Sequence, residues 1–407
     1  MGIKGNLTEI NAIPFEAPPL APVRAGYDPA TQAVGVGYTP EGLDQNPAYY
    51  ELLQESAFKA AAESNVTDWL VRRAHRRYGL PAPNWEVASA WADIGDSGYA
   101  HDGDVHDPTA VGTLSPSNWE PWTGFGPATG KHAPTDGMCK EWRAWRSLLA
   151  AAPAVASANV AMPASQKFGK YPKTYSYDLV DIGREVLAQL TIPVARNFNA
   201  ARKGGLDNDN GTGTGNDAAG NVNRTGTLYV ELLLDLDTLL ATDTAFLLGP
   251  WLDSARRLGG NATDCTDTVV GDLDCADFME WNARSQITTW KPTPKAGPLG
   301  QPTDYARKHW SGLISGYYAP RVRLYMQHTL AAIAAAKAAP TPAAPAAQSD
   351  PGSLAPALAT LAYEFQTAFG NGFPMLPAGD PAVVSAALIS KYGHYFSACA
   401  GVPAGRQ

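Results

Sequence analysis

Glu41 stands in Gly37-Tyr38-Thr39-Pro40-Glu41-Gly42-Leu43, a lone carboxylate hemmed by glycines and a proline. The run before it, residues 33–37, is short, small and apolar, in the manner of a buried parallel strand. After it, Asn46 and Pro47 supply an N-cap and a first helical residue for a helix over 48–59. A carboxylate between the C-terminal end of a strand and a helix occupies the position from which (β/α)8 barrels conduct their chemistry. The same spacing also suits an acid that serves only the loop or the helix dipole. The densest group of imidazoles and carboxylates is His101-Asp102-Gly103-Asp104-Val105-His106-Asp107. It has neither a thiol nor a second cluster at a recognised spacing, so a polar turn accounts for it better than a metal site.

The elements that position these groups are mostly helical. Strand patterning fades after residue 40, and the spacing predicts a helix capped by Thr67 and stopped at Gly79-Leu80-Pro81. A second carries the stripe Met138, Trp142, Trp145, Leu148 and Leu149, with Lys140, Arg143 and Arg146 turned to solvent, and a third is marked by Leu179, Ile182, Val186 and Leu190. Helices over 228–240 and 245–258, split at Asp243, precede others over 276–290 and 304–337, the last kinked or broken at Pro320. A late helix starts at Asp380-Pro381 and ends at Tyr392-Gly393. Residues 203–226, 259–275 and 334–352 read as flexible insertions, and 93–136 as a long irregular segment. A calcium loop at 207–211 fails, because Leu206 stands where an acidic first ligand is required.

The chain has 407 residues, 45% of them hydrophobic, enough to bury a large core, and its net charge of −8 weighs against a nucleic-acid partner. No apolar run approaches the ~20 residues of a membrane span, and Met1 to Asn6 opens no signal peptide. Cys265 and Cys275, ten apart in an Asp/Gly/Thr-rich stretch, suit a local disulfide, while Cys139 and Cys399 have no evident partner. Asn-x-Thr sequons at Asn6, Asn65, Asn210, Asn223 and Asn261 lean the same secretory way.

Several of these segments form a collinear pattern over roughly residues 30–330. It runs through 37–46 and 49–55, Arg72-Arg73, Arg76-Arg77-Tyr78-Gly79, and Glu141-Trp142-Arg143-Ala144-Trp145-Arg146. It continues through Tyr177-Asp178-Leu179-Val180-Asp181, Phe246-Leu247-Leu248-Gly249-Pro250-Trp251-Leu252, 282–290, Asp304-Tyr305-Ala306 and Gly316-Tyr317-Tyr318-Ala319-Pro320-Arg321. The pattern resembles the C-terminal portion of the α-N-acetylglucosaminidases of glycoside hydrolase family 89. The resemblance implies a mainly α chain: 1–62 as the terminal fragment of a (β/α)8 catalytic barrel and 63–407 as a large α-helical domain. It also implies hydrolysis, with retention, of terminal α-linked N-acetylglucosamine from glycans such as heparan sulfate, without a metal or cofactor. A lysosomal, vacuolar or secreted location and assembly through the helical body come with it. By the same resemblance Glu41 is the nucleophile, Trp290 and Tyr305 wall the sugar pocket, and His106 reaches the sugar, with His101 as the other candidate. Read without the family, Trp290 and Tyr305 fit a core better than a pocket.

Retaining hydrolysis needs a second carboxyl about 5 to 5.5 Å from the nucleophile, to protonate the departing oxygen. About forty residues precede Glu41, fewer than two βα units of roughly 30 residues each would need. Glu9 is no substitute, because its neighbours resemble a different barrel segment. The expectation is therefore little activity from this polypeptide alone. The alternative is a non-catalytic helical module that binds a glycan or a partner.

Overall fold

The computed structural model describes residues 47–56, 63–99, 136–161, 163–206, 217–260, 273–289, 308–338 and 351–401. The described residues are almost wholly helical, as the patterning predicts. The described strands are β1 (Lys167–Phe168) and β2 (Tyr171–Pro172), a two-residue antiparallel pair. The predicted strand at 33–37 lies outside the described residues. Contacts divide the chain into two compact units. The first comprises Met1–Asp107, Gly124–Val186 and Asp380–Gln407, and the second Pro108–Thr123 and Leu187–Gly379.

The first unit opens with α1 (Pro47–Ser56), α2 (Val66–Tyr78) and α3 (Trp85–Gly95). The cap of α2 is Asn65, whose Oδ1 accepts from Asp68 N at 3.0 Å, and not the predicted Thr67, which lies inside the first turn. Gly79, at φ 65°, ends the helix in the left-handed conformation that glycine adopts without strain, and the N–H groups of Gly79 and Leu80 satisfy the carbonyls of Arg76 and His75. The α2–α3 corner is set by His75: Nδ1–H donates to Val71 O at 2.8 Å, leaving Nε2 to accept from Asn84 N at 2.9 Å. Asn84 in turn caps α3 through Val87 N.

Next come α4 (Asp136–Ala150), α5 (Ala152–Asn159) and the first part of α6 (Lys173–Leu206). α4 buries Met138, Trp142, Trp145 and Leu148 as predicted, but Arg143 is half-buried and donates to Asp93 at 2.8 and 3.2 Å instead of facing solvent. Trp145 lies so close over Gly183 of α6 that a Cβ there would stand 2.5 Å from the indole. The unit closes with α12 (Pro381–Tyr392), capped by Asp380 as predicted, and a 3-10 segment, Gly393–Gly401. Trp142 stacks on Phe396 at 4.3 Å, and beside them Cys139 is bonded to Cys399 across 260 residues. The sequence offers these two cysteines no evident partner, since a bridge of such separation leaves no local signal. Cys275 is also disulfide-bonded, while its expected partner Cys265 lies outside the described residues.

The second unit contains the rest of α6, α7 (Ala218–Leu240), α8 (Leu248–Gly260), α9 (Cys275–Gln286), α10 (Ala319–Ala338) and α11 (Pro351–Thr367). Helix occupies 203–206, 218–226, 259–260, 334–338 and 351–352, so the expected insertions are narrower than predicted. Two glycines within these helices admit neighbours. Gly226 receives Met326 and Phe198, and Gly205 receives Ile333. The predicted helix from 304 does not form over 308–312, which runs beside Leu247 as a parallel bridge at Ser311, with Gly312 at φ 92°. A widened π turn, Ile314–Tyr318, then leads into α10 just ahead of Pro320, whose ring is incompatible with a regular helical interior.

Candidate active site

Glu41, His106, Trp290 and Tyr305 all lie outside the described residues. The described residues next to three of these positions belong to the first unit for Glu41 and to the second for Trp290 and Tyr305, so each flank stands on its own.

Glu41 precedes α1 by six residues. α1 has ten residues, fewer than the ~12–15 at which an isolated helix becomes even marginal, so its placement depends on what it packs against. Ala48 and Leu52 are buried, and the rest of the attachment is polar. Glu51 accepts two bonds from Arg73, Nε at 2.6 Å and Nη2 at 2.8 Å, and a third from Arg77 at 3.3 Å. Glu55 accepts from Trp69 Nε1 at 2.8 Å. Arg77 also grips Asp178 of α6 with two bonds, 3.2 and 3.0 Å, and Asp178 accepts from the Tyr78 hydroxyl at 2.9 Å. That hydroxyl accepts from Trp91 Nε1 at 3.0 Å. Arg73 is 1% exposed and lies over the Trp91 ring.

Charge balance explains why such a group can be buried. Two guanidiniums face two carboxylates in bidentate geometry, the pairing with the best chance of offsetting desolvation. Burial opposes the charge on Arg77, but Asp178 outweighs it and raises the arginine's pKa. Burial, reinforced by Asp178, pushes the Tyr78 hydroxyl up, so it stays protonated and donates. Nearby, burial raises the Asp181 carboxyl against the pull of Arg184, which bonds it at 2.8 Å.

Trp290 follows Thr289 directly. Thr288 and Thr289 are both buried, and their hydroxyls accept from Gln366 Nε2 of α11 at 2.8 and 2.7 Å. Tyr305 precedes the 308–312 run, where Asp237 of α7 accepts from Gly312 N at 2.8 Å, Ser315 N at 3.0 Å and Ser311 Oγ at 3.0 Å. Burial raises the Asp237 carboxyl despite these bonds. A further buried acid, Glu280, pairs with Arg284 and Arg256 and accepts from Gly370 N at 3.0 Å. Among the described residues no three His, Cys, Asp or Glu side chains are grouped to hold a metal, and no described helix is long and apolar enough to cross a membrane.

Sequence reasoning quoted Arg73, Arg77 and Asp178 as part of a pattern but assigned them no task, and it did not single out Glu51, Asp237, Glu280 or Gln366 for any role. One available signal was charge at helical positions that share a face with core residues. Arg73 and Arg77 stand one turn apart and flank the Trp69–Ala74–Tyr78 stripe.

Residues 69–391 match the family model described as the Alpha-N-acetylglucosaminidase (NAGLU) C-terminal domain. The chain is 29% identical over 338 residues to a human protein named Alpha-N-acetylglucosaminidase, covering 82% of this chain and 37% of that one. Among solved structures it resembles a family 89 glycoside hydrolase from Clostridium perfringens in complex with PUGNAc, with TM-score 0.66, 21% identity, and coverage of 96% of this chain and 38% of the other. A Clostridium perfringens family 89 structure with two glutamates changed to glutamine, in complex with its substrate GlcNAc-alpha-1,4-galactose, gives TM-score 0.66 at 19% identity and covers 97% of this chain and 38% of the other. The chain thus spans well under half the length of the relatives it matches. The family match alone extends over most of these 407 residues, and the chain belongs to the α-N-acetylglucosaminidase C-terminal domain family.

Proposed function

We propose that this chain supplies the helical domain and one catalytic carboxylate of a retaining glycoside hydrolase that removes terminal α-linked N-acetylglucosamine from glycans such as heparan sulfate. The reading rests on the family match over 69–391, in line behind the Glu41 motif. That the human relative is named Alpha-N-acetylglucosaminidase supports the same substrate class. The bound PUGNAc and GlcNAc-alpha-1,4-galactose of the bacterial relatives do so too.

In this mechanism Glu41 attacks the anomeric carbon and a second carboxyl protonates the departing oxygen. Water then releases the sugar with that second group acting as base. Trp290 offers an indole face to the C–H side of the pyranose, Tyr305 adds a hydroxyl while excluding water, and His106 contacts the sugar. No second carboxylate of this sequence stands in a matching motif, so the proton donor is assigned to a segment outside it, and these 407 residues alone are inactive or weakly active. Residues 1–62 are the end of the catalytic barrel and 63–407 the helical domain, through which copies assemble. Disulfides at Cys139–Cys399 and Cys275 support a lysosomal, vacuolar or secreted location, with glycosaminoglycan degradation as the setting.

The test is Glu41→Gln in the chain joined to the donor-bearing segment. Turnover of a chromogenic α-N-acetylglucosaminide should vanish with folding intact. Retained turnover would refute the nucleophile assignment, and measurable binding without turnover in the parent would favour a glycan-binding module.

A further inference from the structure

We infer that Asn65 carries an N-linked glycan, which α2 accommodates because the helix uses one atom of this side chain and the sugar takes another. This rests on the secretory location proposed above. Asn65-Val66-Thr67 meets the acceptor rule, an asparagine two places before a threonine with no proline between. Asn65 is exposed and its backbone is extended, at φ −142° and ψ 106°, with Ser64 and Asp68 exposed on either side. Its Oδ1 accepts from Asp68 N at 3.0 Å and so caps α2. Its Nδ2 bonds to none of the described residues.

The modification joins Nδ2 to C1 of an oligosaccharide carried on a lipid diphosphate. The bond from C1 to the carrier oxygen breaks, the diphosphate leaves with the electron pair, and the amide gives up one of its two protons. The product keeps the side-chain carbonyl, so the bond from Asp68 N survives with the sugar in place. The second described sequon, Asn223-Arg224-Thr225, is differently placed. It lies wholly inside α7, where the Thr225 hydroxyl donates to Asn221 O at 2.8 Å and Arg224 pairs with Asp217 at 2.7 Å. Asn65 stands ahead of its helix in an open, extended conformation, so its amide is presented whether or not α2 has formed. A bulky polar glycan projects from there into water.

The experiment uses the full-length protein purified from the cells that make it. A non-reducing digest reads the Cys139–Cys399 bridge, and release of N-glycans by an amidase in heavy-oxygen water converts a glycosylated Asn65 to labelled aspartate. Joined cysteines and label at 65 are expected. Joined cysteines with an unlabelled Asn65 overturn the inference and leave the location standing, whereas reduced cysteines with a bare Asn65 overturn both. Two variants made in the same cells remove the glycan and spare the helix. Asn65→Asp keeps a capping oxygen. Val66→Pro blocks the acceptor while placing proline at the first helical position, after a residue already extended. Both should migrate one glycan lighter than the parent, and either one migrating with the parent overturns the inference. Asn65→Asp should melt within about 2 °C of the deglycosylated parent, and Asn65→Ala, which loses cap and glycan together, about 2–4 °C lower. An Asn65→Asp chain melting as low as Asn65→Ala would overturn the division of the side chain between cap and sugar.

Discussion

Replacing both Cys139 and Cys399 by alanine should lower the stability of the first unit substantially. The bridge closes a loop of 260 residues, and the chain-entropy relation for that length gives about 5.5 kcal/mol at 25 °C. Native disulfides deliver somewhat less than this ceiling, so about 4 kcal/mol is the working figure. At roughly 2–4 °C per kcal/mol for a unit of this size, the melting temperature should fall by about 8–16 °C. The lost sulfur packing adds little, because Trp142 and Phe396 remain stacked beside the site. Scanning calorimetry of the double variant, with the parent measured before and after reduction, reads the effect. A non-reducing digest of the parent should also yield one peptide pair joining Cys139 to Cys399. A double variant melting within about 2 °C of the oxidised parent, or a parent digest in which those cysteines are not joined, would refute the reasoning.

Other consequences follow from particular contacts. Gly183→Ala places a methyl within 2.5 Å of the Trp145 indole, which is fully buried and cannot swing away. The variant should lose about 1–3 kcal/mol in denaturant titration, more than the ~1 kcal/mol that alanine returns as helix propensity, and a stabilised variant would contradict this. For Glu280, burial alone would raise the carboxyl, but Arg284, Arg256 and the Gly370 N–H prevail and hold it below its ordinary 4.5. A depressed folded pKa contributes stability above the unfolded value and loses it as pH falls through the folded one. Glu280→Gln should therefore melt lower at pH 7, by about 3 kcal/mol as for a broken buried pair. The gap to the parent should narrow as pH drops below 4.5, and a constant gap would show that the charge is not the source.

Where residue patterns repeat within a few turns, the sequence and the structure agree. The Trp142–Trp145–Leu148 stripe, the Asp380-Pro381 start and the Gly79 stop are local devices, and each forms as read. What escaped is long-range. Cys139 finds Cys399 only after the chain has folded around both, and the room left by Gly205 and Gly226 is taken by Ile333 and Met326, each about a hundred residues further on. Arg143 was placed in solvent because its partner, Asp93, belongs to another helix. For the site, the motifs flagged Glu41 and its companions, while Gln366 and Asp237 stand in no motif and Glu51, inside the 49–55 segment, was given no role. Their meaning arises from partners tens of residues away, Arg73, Thr289 and Gly312.

The claim that Glu41 is the nucleophile is tested most directly by trapping the covalent intermediate. The chain joined to its donor-bearing segment is treated with a slow α-N-acetylglucosaminyl fluoride and digested, and the sugar-bearing peptide is sequenced by mass spectrometry. The account predicts one sugar per chain, on Glu41. An active enzyme carrying the sugar on any other carboxylate would contradict it.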